Sequence, residues 1–236
     1  MSKMIRAVLF CFLLFLSCAT TMKIVPGPGA HSSVILEGMA FAETSGVSIM
    51  LETQAWTGKP DILDKITPIR ITLQNKSRDL LLIRYNVFHL EGLTSGDNYA
   101  ALPPYEIRGT LDDPWIILPY PLPLPSAVVC QKFSVAPYCS RMYPAFPAYQ
   151  DSFTVDSLYY SRYYTVWAKI ELPTEEMLIK VLPDGVVEQG GYVSGFLYFE
   201  KIDRNEEELL FTADLIDALK GRLLGTITIP LQVIRK

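Results

Sequence analysis

The feature that most limits the fold of this chain is a two-residue apolar period in its first half. Two segments share this period: Val47, Ile49 and Leu51, and then Ile69, Ile71 and Leu73. Because successive side chains of a strand point to opposite faces, each segment is predicted to be a strand with one buried face. The polar stretch 75–79 is then predicted to turn the chain into the apolar run 80–90, so that the two sides form a hairpin.

The C-terminal third repeats the pattern. Extended apolar runs occupy 192–200, 209–216 and 224–234, and turn residues separate them. Six or seven strands without a long helical period predict a mainly β protein, an antiparallel sandwich. Candidate core residues are Val87, Phe196, Tyr198 and Phe199. Pro230, which lacks an N–H for the strand ladder, predicts an edge strand or a bulge.

Three motifs carry a resemblance to a known fold. They are Thr67–Ser77, then Phe88–Glu91 with Gly96–Tyr99, then Gly191–Phe199. They resemble immunoglobulin-like domains of bacterial secreted lipoproteins, over about half of the chain (47–103 and 187–230). The resemblance implies an antiparallel immunoglobulin-like β-sandwich and brings no catalytic residues with it.

Residues 104–183 depart from that pattern and are interpreted as an insertion in a single domain, 41–236. Eight prolines lie between Pro114 and Pro147, which favours polyproline-like and turn segments over central strands. Two short helices are predicted after them. One carries aromatic residues at four-residue spacing over 159–167, and the other is capped by Thr174 and runs through Leu182.

The N-terminus predicts export from the cytoplasm. Residues 1–6 carry Lys3 and Arg6, and residues 7–16 contain no charge. Ten apolar residues are about half the number that a membrane-spanning helix needs. Residues 1–17 are therefore interpreted as a secretory signal peptide.

The end of this leader resembles the lipobox of bacterial lipoproteins. The run Leu13-Leu14-Phe15-Leu16-Ser17 precedes Cys18, although Phe15 and Leu16 depart from the residues that the family prefers there. The resemblance implies lipidation of Cys18, with residues 18–40 as a lipid-anchored tether. Ala19 in place of aspartate implies an outer-membrane address facing the periplasm of a bacterial envelope. The alternative is an ordinary signal peptide cut near residues 19–22.

Charge excludes one class of partner. Without Lys3 and Arg6 the chain has about 19 basic and 25 acidic residues, a formal charge of about −6. Nucleic-acid binding needs clustered Lys and Arg side chains to neutralise phosphates. The lipobox resemblance implies the membrane as a partner, reached through the N-terminal lipid, and a second envelope protein or a glycan is the further candidate.

The remaining cysteines predict a disulfide. Cys11 leaves with the leader, so Cys130 and Cys139 stay in an oxidising compartment with eight residues between them. A bridge across so short a loop contributes about 2 to 3 kcal/mol. The alternative of a redox-active pair lacks the usual Cys-x-x-Cys spacing.

Motifs for catalysis, metals and cofactors are missing. The two histidines are His31 and His89, and no cysteine pair has zinc spacing. Ser194 lies in a strand pattern without the following helix that a nucleophile elbow needs. The acidic run 206–208 is interpreted as a solvated hairpin tip. We therefore expect no metal, no cofactor and no enzymatic activity.

One group of aromatic residues is a candidate binding surface. Its members are Tyr159, Tyr160, Tyr163, Tyr164 and Trp167. They pack the insertion against the sandwich, or they stack on sugar rings or a partner protein. The leading hypothesis is a non-catalytic binding or envelope-structural lipoprotein. The alternatives are a carbohydrate-binding module that uses these rings and a hydrolase with carboxylates in the insertion.

Overall fold

The chain is mainly β. A computed structural model describes residues 22–32, 38–58, 60–107, 128–129, 133–135 and 173–235. Within these ranges the strands are β1 Met22–Pro26, β2 His31–Ser32, β3 Met39–Thr44, β4 Val47–Glu52, β5 Ile66–Asn75, β6 Leu81–Ile83, β7 Phe88–Gly92, β8 Asn98–Leu102, β9 Val128–Val129, β10 Phe133–Val135, β11 Gly185–Val187, β12 Tyr192–Glu200, β13 Glu208–Asp217 and β14 Leu223–Arg235. One α-helix, α1 (Glu175–Lys180), and 3-10 turns at Pro60–Asp64, Tyr85–Val87 and Pro104–Glu106 complete the described elements.

The strands form one antiparallel sheet. Its hydrogen-bonded order is β10, β11, β6, β13, β7, β8, β12, β5, β4, β3, β2. Strand β14 pairs with β13 and β1, and β9 pairs with β12. The predicted antiparallel, mainly β class is confirmed, whereas the immunoglobulin-like sandwich stays a prediction.

The sheet curls until its two sides meet, which makes it nearly barrel-shaped. The Ser45 hydroxyl, in the turn between β3 and β4, donates to the Leu224 carbonyl of β14 at 3.0 Å. Thr53 donates in the same way to the Ile24 carbonyl of β1 at 2.7 Å. Gly225 of β14 permits this approach, because a Cβ there would lie 3.0 Å from the Thr44 methyl carbon. The first and last strands thus close the gap beside β3 and β4.

The core follows the two-residue period that the sequence shows. The predicted inward residues of β4 and β5 are all buried: Val47, Ile49, Leu51, Ile69, Ile71 and Leu73. Phe196, Tyr198 and Phe199 of β12 are buried as predicted, and Val87 is half-buried. Phe199 packs edge-on against Phe211 of β13 at 6.4 Å, which joins opposite parts of the sheet across the interior.

The predicted hairpin around 75–79 is wrong. Strand β5 pairs with β4 and β12, whereas β6 pairs with β11 and β13. The Asn75 side chain is fully buried and donates to the Asp79 carbonyl at 2.8 Å and the Val187 carbonyl at 2.9 Å. It also accepts from the Ser77 amide at 3.0 Å. These bonds fix a crossover between strands that are not neighbours.

Part of the segment predicted as a tether lies in the sheet. Strand β1 pairs with β14 from Met22 opposite Arg235 to Pro26 opposite Leu231. A turn follows, in which the Ala30 amide donates to the Gly27 carbonyl at 3.1 Å. The five residues of β1 are too few to show a clear period in the sequence. They form a strand because they pair with β14, more than 200 residues away.

Pro230 lies where β1 leaves β14. Its carbonyl accepts from the Gly27 amide at 2.9 Å, immediately after the last β1 pair. In an antiparallel strand the N–H and C=O of one residue point to the same side. The missing N–H therefore faces the end of β1 and removes no bond to β13, which agrees with the predicted edge position.

The place of β1 in the core can be tested by mutation. Ile24 is buried and its neighbour Lys23 is exposed. Ile24→Ala is expected to lower the free energy of unfolding by about 2 to 4 kcal/mol, because it leaves a cavity in the core. Lys23→Ala is the control and should change it by less than about 0.5 kcal/mol. Urea denaturation of the protein without its leader measures both, and equal small effects would contradict the placement of β1.

Candidate functional site

Most residues that the sequence singles out lie outside the described part of the chain. They are Cys18, Cys130, Cys139, Tyr159, Tyr160, Tyr163, Tyr164 and Trp167. The lipid attachment, the disulfide and the aromatic surface therefore stay predictions. His89 is half-buried in β7, opposite Thr212 of β13 and Ala100 of β8.

The acidic run 206–208 is more than a solvated tip. Glu206 is 1% exposed, and its carboxylate accepts from the Ser95 amide at 3.1 Å and the Thr94 amide at 3.3 Å. Gly92 makes room for it, since a Cβ there would lie 2.5 Å from a carboxylate oxygen. The interpretation of Glu206 as solvated is wrong, because its buried carboxylate is the acceptor for two amides of the β7–β8 turn.

A cluster of aromatic and charged side chains lies where α1 meets the sheet. We call it the Trp56 cluster; it comprises Trp56, Glu176, Lys180, Phe196 and Tyr198. The Trp56 ring meets Phe196 edge-on at 5.2 Å and Tyr198 at 6.1 Å. Such perpendicular ring pairs add about 0.5 to 1.5 kcal/mol to the area they bury.

The helix that carries two of these residues begins as the sequence predicts. Thr174 accepts from the Met177 amide at 3.3 Å through its hydroxyl, which confirms the predicted cap. The helix ends at Lys180 rather than Leu182, and Val181 is already extended. Pro183 accounts for the early end, because proline disfavours helical backbone in the residue before it.

The segment after α1 is held directly on β12. The Leu182 amide donates to the Phe196 carbonyl at 2.8 Å, and the Tyr85 hydroxyl donates to the Leu182 carbonyl at 2.6 Å. Tyr198 adds a bond from its hydroxyl to the Met177 carbonyl at 2.9 Å. One amide and two carbonyls of the 174–183 segment are thereby satisfied by β12 and by the 3-10 turn that contains Tyr85.

Lys180 is the charged centre of the Trp56 cluster. Its ammonium lies 2.5 Å from the Glu176 carboxylate, 3.4 Å from the Thr57 hydroxyl and 5.1 Å from the Trp56 ring centroid. The Lys180 side chain is 8% exposed, so these contacts replace its hydration. The spacing of Glu176 and Lys180 by four residues was the sequence signal for this pair.

The geometry of the Trp56 cluster favours docking over chemistry. The ammonium already has a carboxylate, a hydroxyl and a ring face as partners. A catalytic amine would need a site beside it for a reacting group. We interpret the cluster as the contact that holds α1 on β12.

A second buried carboxylate, Asp217, stabilises the turn between β13 and β14. It accepts from the Leu219 amide at 2.9 Å and the Lys220 amide at 3.2 Å, and it lies 3.3 Å from the Arg222 guanidinium. Burial opposes ionisation, but these amides and the charges of Lys220 and Arg222 outweigh it and hold the pKa of Asp217 below its usual value.

Tyr99 shows the opposite balance beside Glu206. Burial raises the pKa of the Tyr99 hydroxyl, the amide of Asp203 opposes the rise, and the Glu206 carboxylate adds to it. The Asp203 amide donates to this hydroxyl at 3.2 Å. Tyr99 and Glu206 therefore both hold backbone amides of turns at one end of the sheet.

Among the residues that the structure describes, no group of three or more His, Cys, Asp and Glu side chains is placed to hold a metal ion. Within the same ranges, no helix is long and apolar enough to cross a membrane.

Gly195 tests how closely the 174–183 segment approaches β12. A Cβ at Gly195 would lie 2.6 Å from both the Cα and the amide nitrogen of Leu182. Gly195→Ala is expected to cost about 2 to 3 kcal/mol of stability, because the backbone of Leu182 must move. Ser194→Ala, in the same strand, should cost about 1 kcal/mol by losing its bond to Thr72. Thermal denaturation distinguishes the two, and a harmless Gly195→Ala would contradict the close approach.

Asp217 makes a pH-dependent contribution to stability. Since its folded pKa lies below the usual 3.8, folding favours the ionised form. This stability is fully present above the unfolded pKa and is lost as the pH falls through the folded pKa. Asp217→Asn should therefore cost about 1 to 2 kcal/mol at pH 7, and the difference from wild type should shrink as the pH falls below the unfolded pKa.

The control for Asp217 is Asp79, whose side chain is 37% exposed and also faces Arg222. Asp79→Asn should cost no more than about 0.5 kcal/mol. Urea titrations at several pH values measure both variants. A deficit for Asp217→Asn that stays constant through the acid range would contradict the assignment.

Comparison with protein families, curated proteins and solved structures finds no match to this chain.

Proposed function

We propose that this chain is an exported bacterial lipoprotein, anchored through Cys18, with a non-catalytic binding or structural role in the cell envelope. The observation that carries the proposal is the position of Cys18. It ends the charge-free leader, and three residues separate it from Met22, the first residue of β1. A cut before Cys18 leaves the whole of β1 intact.

The alternative cut near residues 19–22 is less compatible with the sheet. Met22 already pairs with Arg235, and Ile24 is buried in the core. A cut after Met22 would remove the first paired residue of β1, whereas a cut after Ser17 leaves four residues before it. This spacing supports processing at Cys18.

Three of the five buried charged side chains in the described part of the chain have contacts that support a non-catalytic role. Glu206 and Asp217 bind amides of turns, and Lys180 binds Glu176 beside the Trp56 ring. Each of these groups is committed to holding a turn or a helix in place. Side chains with these structural roles are compatible with a binding or structural protein.

The finer parts of the proposal rest on the sequence. The body is an immunoglobulin-like domain, as the resemblance over 47–103 and 187–230 implies, and its antiparallel pairing agrees with that class. Ala19 after the lipidated cysteine favours the outer membrane, facing the periplasm. A second envelope protein or a glycan is the expected partner.

Metabolic labelling with a fatty-acid probe tests the anchor. Wild-type protein should incorporate the probe and fractionate with membranes, and Cys18→Ala should lose at least nine-tenths of the label. The matched control is Cys11→Ala, which removes a cysteine of the same leader. It should label like wild type, because residue 11 leaves with the signal.

Two results would contradict the proposal. One is an unlabelled wild-type protein that begins between residues 19 and 23 by mass spectrometry. The other is undiminished labelling of Cys18→Ala, which would place the lipid on another residue.

A further inference from the structure

We draw no further inference here: the strongest candidate, the apolar row of Val186, Leu82, Ile216 and Leu223 on the outward face of β11, β6, β13 and β14, carries no proposal because nothing in the described part of the structure shows what covers it.

Discussion

The pairing of the first described strand with the last one is the constraint on which the rest of the structure depends. The five pairs between β1 and β14 bring the two parts of the chain together, and Ile24 enters the core there. An unpaired β14 would expose its backbone groups over this stretch as a template for another chain. In the proposed lipoprotein, Cys18 precedes the first residue of β1 by four positions, so the strand that closes the fold also follows the anchor.

Strand β12 is the second element that the fold cannot lose. It pairs with β5 over nine residues and with β8 and β9 on its other side. Phe199 faces the interior, while Phe196 and Tyr198 meet Trp56 on the opposite face. A strand buried on both faces needs a cover, and α1 with the backbone of Val181 and Leu182 supplies it.

The sequence predicted what depends on neighbouring residues. The alternation at 47–51 and 69–73, the run 192–200 and the Thr174 cap are local signals, and the structure has each of them. Which strands pair with each other does not depend on neighbouring residues alone. The Asn75 side chain donates to the Val187 carbonyl, more than 100 residues away, and thereby helps to fix β5 and β6 on different partner strands. The composition of the stretch 75–79 is that of an ordinary polar turn and does not indicate this crossover.

The sequence pattern did not predict the Trp56 cluster or the burial of Glu206, for a related reason. A glutamate in an acidic run is usually solvated, and only the presence of Gly92 and two donor amides makes Glu206 a buried acceptor. The four-residue spacing of Glu176 and Lys180 is a local signal, but the position of Lys180 over Trp56 joins residues 124 positions apart in the chain.

Late closure of the sheet follows from this topology. Within the described residues β1 pairs with β14, which is synthesised more than 200 residues after it. Bringing such distant segments together costs conformational entropy, but this cost grows only slowly with the length of the loop between them. The order of synthesis therefore delays the pairing more than the entropy cost opposes it. Until β14 arrives, Ile24 and the edge beside β3 lack their partners. In the proposed lipoprotein, an N-terminus held at the membrane during this interval would keep β1 close to the place where β14 emerges, and this proximity would favour intramolecular pairing over pairing with a second chain.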